Sequence, residues 1–468
     1  MGADVVIVGA GSAGSVLAER LSADPACRIT VLEAGPARTA PAIRALTDPA
    51  DRLPVEPASP VAWRYRTALT EHPRTAAEIV RGRCVGGSGA INGGYFCRAL
   101  PADFDEYPVP GWSWADVEPH YRAIATDRDF PDPRGGGPIP IRRVLSADAP
   151  ARGALSTGAF VGAAVDAGFR WLPDLNATPA GPSPPPGVGA VPLNIAGGVR
   201  VGPGAAFLEP ALGRPNLTVL TDTRATRVRI AAGRAVGVDL TGPDGPGRLD
   251  AHRVVLSAGA LESAHLLMLS GVGPAGALAA LGIRVLADLP VGVRCRDHPE
   301  WLLPTGWAPS PGHPVLEAVL VTGALEIRPY TTGFGAGTTS IGVALMRPGS
   351  RGRVSLVSAD PAVPPSIEHR YDGDPADGAA LREGCESVAE VLGGVTELGE
   401  PSWSTSQHLC GTAPMGTGED AVVDPRCRVL GVDGLWVVDA SVLPSIPGRG
   451  PHATVAMLGH RAAEFIRA

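Results

Sequence analysis

The run SQHLCGTAPMG, Ser406 to Gly416, sets one histidine among small residues. A neutral imidazole, with an ordinary pKa of about 6.5, exchanges a proton near neutrality through one nitrogen while the other is free to orient the ring. A zinc-type site needs several His, Cys or carboxylate ligands at short spacing, and only Cys410 lies close. His408 therefore points to proton chemistry, with a partner drawn from elsewhere in the chain. Missing residues close off other routes. All 40 basic residues are arginine, which excludes a lysine Schiff base, and no GxSxG turn is present to carry a serine nucleophile.

A second chemical feature stands at the amino end. Asp4 to Val8, DVVIV, reads as a strand buried on both faces, followed by Gly9, Gly11 and Gly14 and then the helical run SVLAERLSA. Glycines at this spacing let the backbone turn tightly and approach a pyrophosphate, which then meets the amides at the helix start. A lone GxGxxG is often only a turn that packs a helix on a strand. Here a second strand, RITVL, ends in Glu33 about twenty residues on, where a carboxylate can hold ribose hydroxyls and disfavours the 2'-phosphate of NADP. FAD and NAD remain open at this point.

The rest of the chain must position these features. It has 468 residues, 44% hydrophobic, enough for two or three domain-sized cores, and its 61 glycines and 48 prolines imply many long loops. The net charge of -7 argues against a nucleic-acid partner. Seven cysteines, odd in number and without a CxxC pair, fit reduced thiols better than a disulfide framework. No signal peptide precedes the first strand and no apolar run reaches membrane-spanning length, so a cytoplasmic protein is expected, with peripheral membrane contact still open.

Longer motifs separate the cofactors. Gly82 to Asn92, GRCVGGSGAIN, continues into GGYFCRALPADFD, and GALESAHLLMLSGVG follows at Gly259 to Gly273. With RPNLTVLTDTRATRVRI, RCRDHP and CRVLGVDGLWVVDASVLPSIP in the same order, the whole chain resembles the glucose-methanol-choline (GMC) oxidoreductases, FAD enzymes that oxidise alcohols. The one departure in the second block is Ala264, where proline or serine is usual. The resemblance implies FAD held by Gly9, Gly11, Gly14, Glu33 and Ala34, and by Gly82, Gly86, Gly87, Ser88, Asn92 and Gly93. It also implies adenine contact at Val228 and flavin contact at Asp439 and Ala440. Members that bind flavin covalently carry a histidine where this chain has Ile91, so non-covalent FAD is expected. LEIRPY, IEHRY, SQHLCGTAPMG and SIPGRGPHAT look like the mycofactocin-associated members, which implies reduced mycofactocin or another alcohol as substrate and an unidentified electron acceptor, a respiratory carrier among the candidates.

The same resemblance supplies the partner of His408. It is His452, in PGRGPHATVAML, and the strand-like run VLGVDGLWVV between them can return the chain to the same end of the sheet. Both rings are expected over the flavin, His408 as base for the hydroxyl proton while hydride leaves for flavin N5, and His452 as donor to the developing alkoxide. Two rings in contact would titrate as a pair. His298, in DHP, is expected to be structural, and the other seven histidines to lie on the surface or in the core.

The expected fold is α/β, a Rossmann-like FAD-binding domain from residues 1–98, 199–299 and 405–468, with a second α+β substrate domain on an antiparallel sheet from 99–198 and 300–404. VLEAVLVTGALEIRPY and TTSIGVALMRP supply its strands and DGAALREGCESVAEVL a helix, whereas ATPAGPSPPPGVGAVP reads as a surface crossing. Trp112, Trp114, Trp301, Trp307 and Tyr330 are candidate pocket residues. A hydroxynitrile-lyase-type enzyme and a noncatalytic flavin-binding redox partner are the competing functions.

Overall fold

The computed structural model describes residues 3–105, 107, 109–146, 153–334 and 336–467. The apolar, largely β-branched run Ala3–Val8 forms a strand covered on both faces, as such composition favours. Beside it on one side lie Ile29–Leu32 and then Leu217–Leu220, all parallel. On the other side it pairs with the far half of the long strand Gly245–Leu256, which in turn pairs in parallel with Leu435–Val437. The near half of Gly245–Leu256 bends into an antiparallel ribbon with Arg234–Gly242 and Arg224–Ala231.

Register decides where a ligand can sit. Val8 lies opposite both Leu32 and Leu256, Leu32 opposite Leu220, and Leu256 opposite Val437. Five parallel strands therefore end level, and the residues that follow, Gly9, Glu33, Ser257 and Asp439 among them, gather at one edge. In open α/β sheets the crevice beyond the carboxyl ends is where ligands bind.

Two helices cover this sheet close to that edge. Ser12–Ser22 follows Gly11, and the last helix, His452–Arg467, crosses it where a Cβ on Gly459 would come 2.7 Å from the Ala13 carbonyl. The crossing fixes the first residue of the last helix, His452, beside the glycine turn.

The second sheet runs Ser402–Thr405, Pro299–Pro304, Ser340–Leu345, Leu325–Pro329, Ala318–Thr322, Gly187–Ala190 and Trp171–Leu172, antiparallel except for the last pair. Period-two alternation splits its residues. Leu303, Leu325, Ile327, Ile341 and Val343 pack with Leu381, Val388 and Leu392 of helix Pro375–Leu392. Glu300, Leu302, Arg328 and Tyr330 look the other way, into a cavity. The architecture is thus mixed α/β. One expectation is corrected: the proline-rich segment crosses the surface only at its start, because its proline-free stretch Gly187–Ala190 is a buried strand of the second sheet. Among the described residues no helix is long and apolar enough to cross a membrane.

Candidate active site

A cavity of about 670 Å³ lies between the level strand ends and the second sheet. Gly9, Gly11, Glu33 and Ala34 line it from the first sheet, Gly82, Gly87, Ser88, Asn92 and Gly93 from the loop beyond residue 81, and Asp439 and Ala440 from the end of the last strand. The cradle is bare backbone by necessity. Gly9 has φ +99° and a Cβ there would strike the Ser257 carbonyl; Gly87 has φ +54° and a Cβ would lie 2.8 Å from Gly11 Cα. Two glycine loops thus touch, with no Cβ at Gly9, Gly11 or Gly87 to block the close approach that a bound dinucleotide requires.

Gly14 and Gly86 do not line the cavity. A Cβ on Gly14 would collide with the Gly9 carbonyl, so this glycine seats the helix on the turn, and Gly86 sends its N–H to the Ala10 carbonyl at 2.8 Å. Val228 is a correction. Its side chain is buried and its N–H donates to Ser270 Oγ at 2.8 Å, whereas Thr223, Arg224 and Ala225 face the cavity. Strand Arg224–Ala231 starts at the crevice, where Thr223 N–H bonds the Glu33 carbonyl, so Val228 lies about 10 Å farther along. A register shift between Ala225 and Arg227 keeps both Ala225 and Val228 pointing inward, which hides the difference from the sequence pattern.

The two acids are held by the protein itself. Glu33 accepts the N–H of Ala10 at 3.0 Å and of Gly35 at 2.9 Å, and burial lifts its pKa to about 7 despite those bonds. Asp439 accepts from Ser263 Oγ at 2.5 Å, from the N–H groups of Gly259 and Ser441, each at 2.9 Å, and from Ser441 Oγ. It therefore caps the turn Ala440–Val442 while facing the crevice, and burial raises its pKa.

His408 follows strand Ser402–Thr405 through Gln407, whose φ of +60° turns the chain into the cavity. The Gln407 side chain pins this turn by accepting Val80 N–H at 2.8 Å and Arg81 Nη1 at 3.0 Å. Asp297 Oδ1 accepts the backbone N–H of His408 at 2.6 Å and of His298 at 2.8 Å, drawing the two together. Their rings stand at 90° with the Nδ1 atoms 2.9 Å apart. The ring partner of His408 is thus His298, the histidine of DHP, and among the described residues no hydrogen bond joins His408 to His452. The link between them is closer to steric: a Cβ on Gly450, two residues before His452, would lie 3.5 Å from His408 Cε1.

His452 has its own partner. Its Nδ1 lies 3.1 Å from Asn92 Nδ2, and Asn92 Oδ1 accepts the Gly94 N–H at 3.0 Å. That leaves the Asn92 amide as donor, Nδ1 of His452 as acceptor, and the proton of the neutral ring on Nε2. This nitrogen is buried and unpartnered among the described residues, and lies 2.6 Å from where a Cβ on Gly89 would be. An orphaned donor at a glycine cradle is a site that awaits an acceptor.

Burial keeps these rings neutral. It lowers His408 well below the ordinary value, helped by His298, Arg328, Arg81 and His452; His298 falls to about 3 by burial and Arg328; His452 falls to about 4 by burial and Arg200.

The cavity wall holds a group the motifs did not announce. Glu326 meets Arg328 at 2.8 Å and Arg449 at 2.7 Å, and Glu300 lies 3.5 Å from Arg328. Residues spaced two apart on Leu325–Pro329 and across to Pro299–Pro304 build it together with Arg449, so a signal existed in LEIRPY and DHPE but needed the pairing register to be read. Of the aromatic candidates, Tyr330 lines the cavity; Trp112 and Trp114 belong to the first core, and Trp301 and Trp307 pack on the second.

Models of the GMC oxidoreductase family match residues 3–300 and 348–459. The chain belongs to this family. A GMC-type oxidoreductase in the thcA 5' region of Rhodococcus erythropolis is 41% identical, over 99% of this chain and 98% of the relative. An oxygen-dependent choline dehydrogenase of Sinorhizobium medicae is 31% identical, over 100% and 96%. Among solved structures, pyridoxine 4-oxidase from Mesorbium loti superposes with a TM-score of 0.86 at 29% identity, covering 99% of this chain and 98% of the other. A formate oxidase variant from Aspergillus oryzae RIB40, studied for its FAD modification, gives 0.86 at 25% identity, with the same coverage. The fold is that of a GMC oxidoreductase and the cofactor is FAD, which the bare glycine cradle and the orphaned His452 nitrogen fit.

Proposed function

We propose that this GMC oxidoreductase is a dehydrogenase that oxidises an alcohol, with His408 as base and His452 as hydrogen-bond donor to the substrate oxygen. The observation that carries the reading is the opposite wiring of two neutral imidazoles on one cavity. Asn92 fixes His452 as the Nε2–H tautomer, a donor. On the other side one proton lies between the Nδ1 atoms of His298 and His408, 2.9 Å apart, and we assign it to His408. His298 Nδ1 then accepts, His408 donates from Nδ1, and the Nε2 of His408 keeps the lone pair that takes the hydroxyl proton. Bound FAD supplies the ring that accepts hydride from the carbinol carbon.

The glycine turn, the loop from Gly82 to Gly93 and the residues Asp439 and Ala440 would hold FAD, with Ala225 in place of Val228 near its adenine end. On this reading residues 1–98, 199–299 and 405–468 carry the cofactor. Ile91, buried on the cavity where a linking histidine would stand, supports non-covalent attachment, so acid precipitation should release free flavin. The natural substrate we favour is reduced mycofactocin, supported by SQHLCGTAPMG, LEIRPY and SIPGRGPHAT. Mixing the FAD-loaded enzyme anaerobically with alcohols should bleach the flavin, and reoxidation should be faster with quinone or artificial acceptors than with oxygen. Cyanide release with an unbleached flavin would replace this reading with a lyase; no reaction with any alcohol would leave only a flavin carrier.

A further inference from the structure

Resting on that reading of the site, we propose that the substrate is an alcohol that bears no cationic group, and that the network of Glu300, Arg328, Glu326 and Arg449 sets this preference. All four side chains are at most 3% exposed, so their charges act at close range with little water to screen them. Two carboxylates face two guanidinium groups, and the sum is zero.

Most of what remains of their bonding capacity is also used, Arg449 Nε excepted. Tyr95 donates to Glu326 at 2.9 Å, Tyr330 to Glu300 at 2.7 Å, and Ser406 to the second oxygen of Glu300 at 2.9 Å. Arg328 is engaged at all three nitrogens, two on Glu326 and one on Ser406. A cationic substrate entering beside these four groups leaves water and meets no carboxylate that lacks its guanidinium. The faces of Tyr330 and Phe334, edge to face at 4.9 Å, attract a quaternary ammonium weakly, but they also cover apolar groups without any desolvation penalty. With Leu302 and Val315 they offer a neutral, largely apolar recess beside the two histidines. Charge cancellation therefore decides against the ion. The choline dehydrogenase relatives act by name on a cationic alcohol, so conserved family membership does not carry their substrate to this chain.

Choline and its carbon isostere 3,3-dimethylbutan-1-ol have the same shape and differ in charge alone. We would titrate each into the FAD-loaded enzyme without oxygen, following the flavin band shift for binding and then its bleaching for turnover. The isostere is expected to bind at least about tenfold tighter than choline. Arg328→Gln leaves one surplus negative charge and should move that ratio toward choline by roughly tenfold, while Arg328→Lys keeps the original order. Should Arg328→Gln not fold, the charge-neutral double variant Glu326→Gln with Arg328→Met keeps the test alive, and it should still prefer the isostere. Choline binding as tightly as the isostere, or neither binding, overturns the proposal. Binding of the isostere without bleaching would instead overturn the oxidation reading and leave the charge preference standing.

Discussion

In the proposed mechanism His408 serves as base only in the tautomer that leaves its Nε2 unprotonated, and the ring that meets its Nδ1 is His298. His298 meets His408 through Nδ1, and burial is the chief reason that His408 holds a proton poorly. Replacing His408 by Ala should cut kcat by about 10²–10⁴-fold with FAD retained, the usual range for loss of a general base. His298→Leu makes a different prediction. With the acceptor of its Nδ1–H replaced by an apolar group, protonated His408 loses support and its pKa falls further, so the acid limb of the kcat/KM profile should shift to lower pH. A purely packing role for His298 would lower activity without moving that limb, and stopped-flow reduction across a pH series separates the two.

At the scale of elements, the strand, glycine turn and helix at the amino end were legible because every requirement is local: branched residues for the strand, glycines where φ turns positive, an acid after the next strand. Gly87→Ala tests the least local part of this cradle. Its new Cβ would press on Gly11 Cα, so the two loops must part, and FAD affinity should fall at least about tenfold while circular dichroism stays native. Elsewhere the chain pattern ran out where geometry depends on pairing. A bulge made Val228 and Ala225 equivalent by burial but not by position. The Glu300–Arg328 contact joins two strands through a third partner strand, Ser340–Leu345, and no spacing along one strand reveals it. Likewise His298 gave a motif without a partner, because the meeting with His408 is arranged by Asp297 through backbone N–H groups.

Over the whole molecule, neutral buried histidines make stability depend on pH. His298, His369 and His460 are lowered to about 3 and His452 to about 4, each chiefly by burial. In the unfolded chain these groups take up protons near pH 6.5, whereas the folded chain refuses them, so their contribution is present above that pH and is lost as pH falls. Glu33 and Asp297 act oppositely: raised to about 7 and about 6, they gain protons in the folded state first, and so stabilise it as pH drops through that range. With His408 and His120 also lowered and Asp439 also raised, six histidines oppose three carboxyls, each worth at most ~1.4 kcal/mol per pH unit, so the balance favours loss on the acid side. The melting temperature of the protein should therefore fall between about pH 7 and about pH 5. His460→Gln, in the last helix and remote from the cavity, removes one contributor where His120 and His460 meet Nδ1 to Nδ1 at 2.8 Å, and should flatten the slope in proportion. A melting temperature that climbs over the same interval would mean that the acids outweigh the imidazoles, and that the histidines lining the cavity are not held neutral by burial.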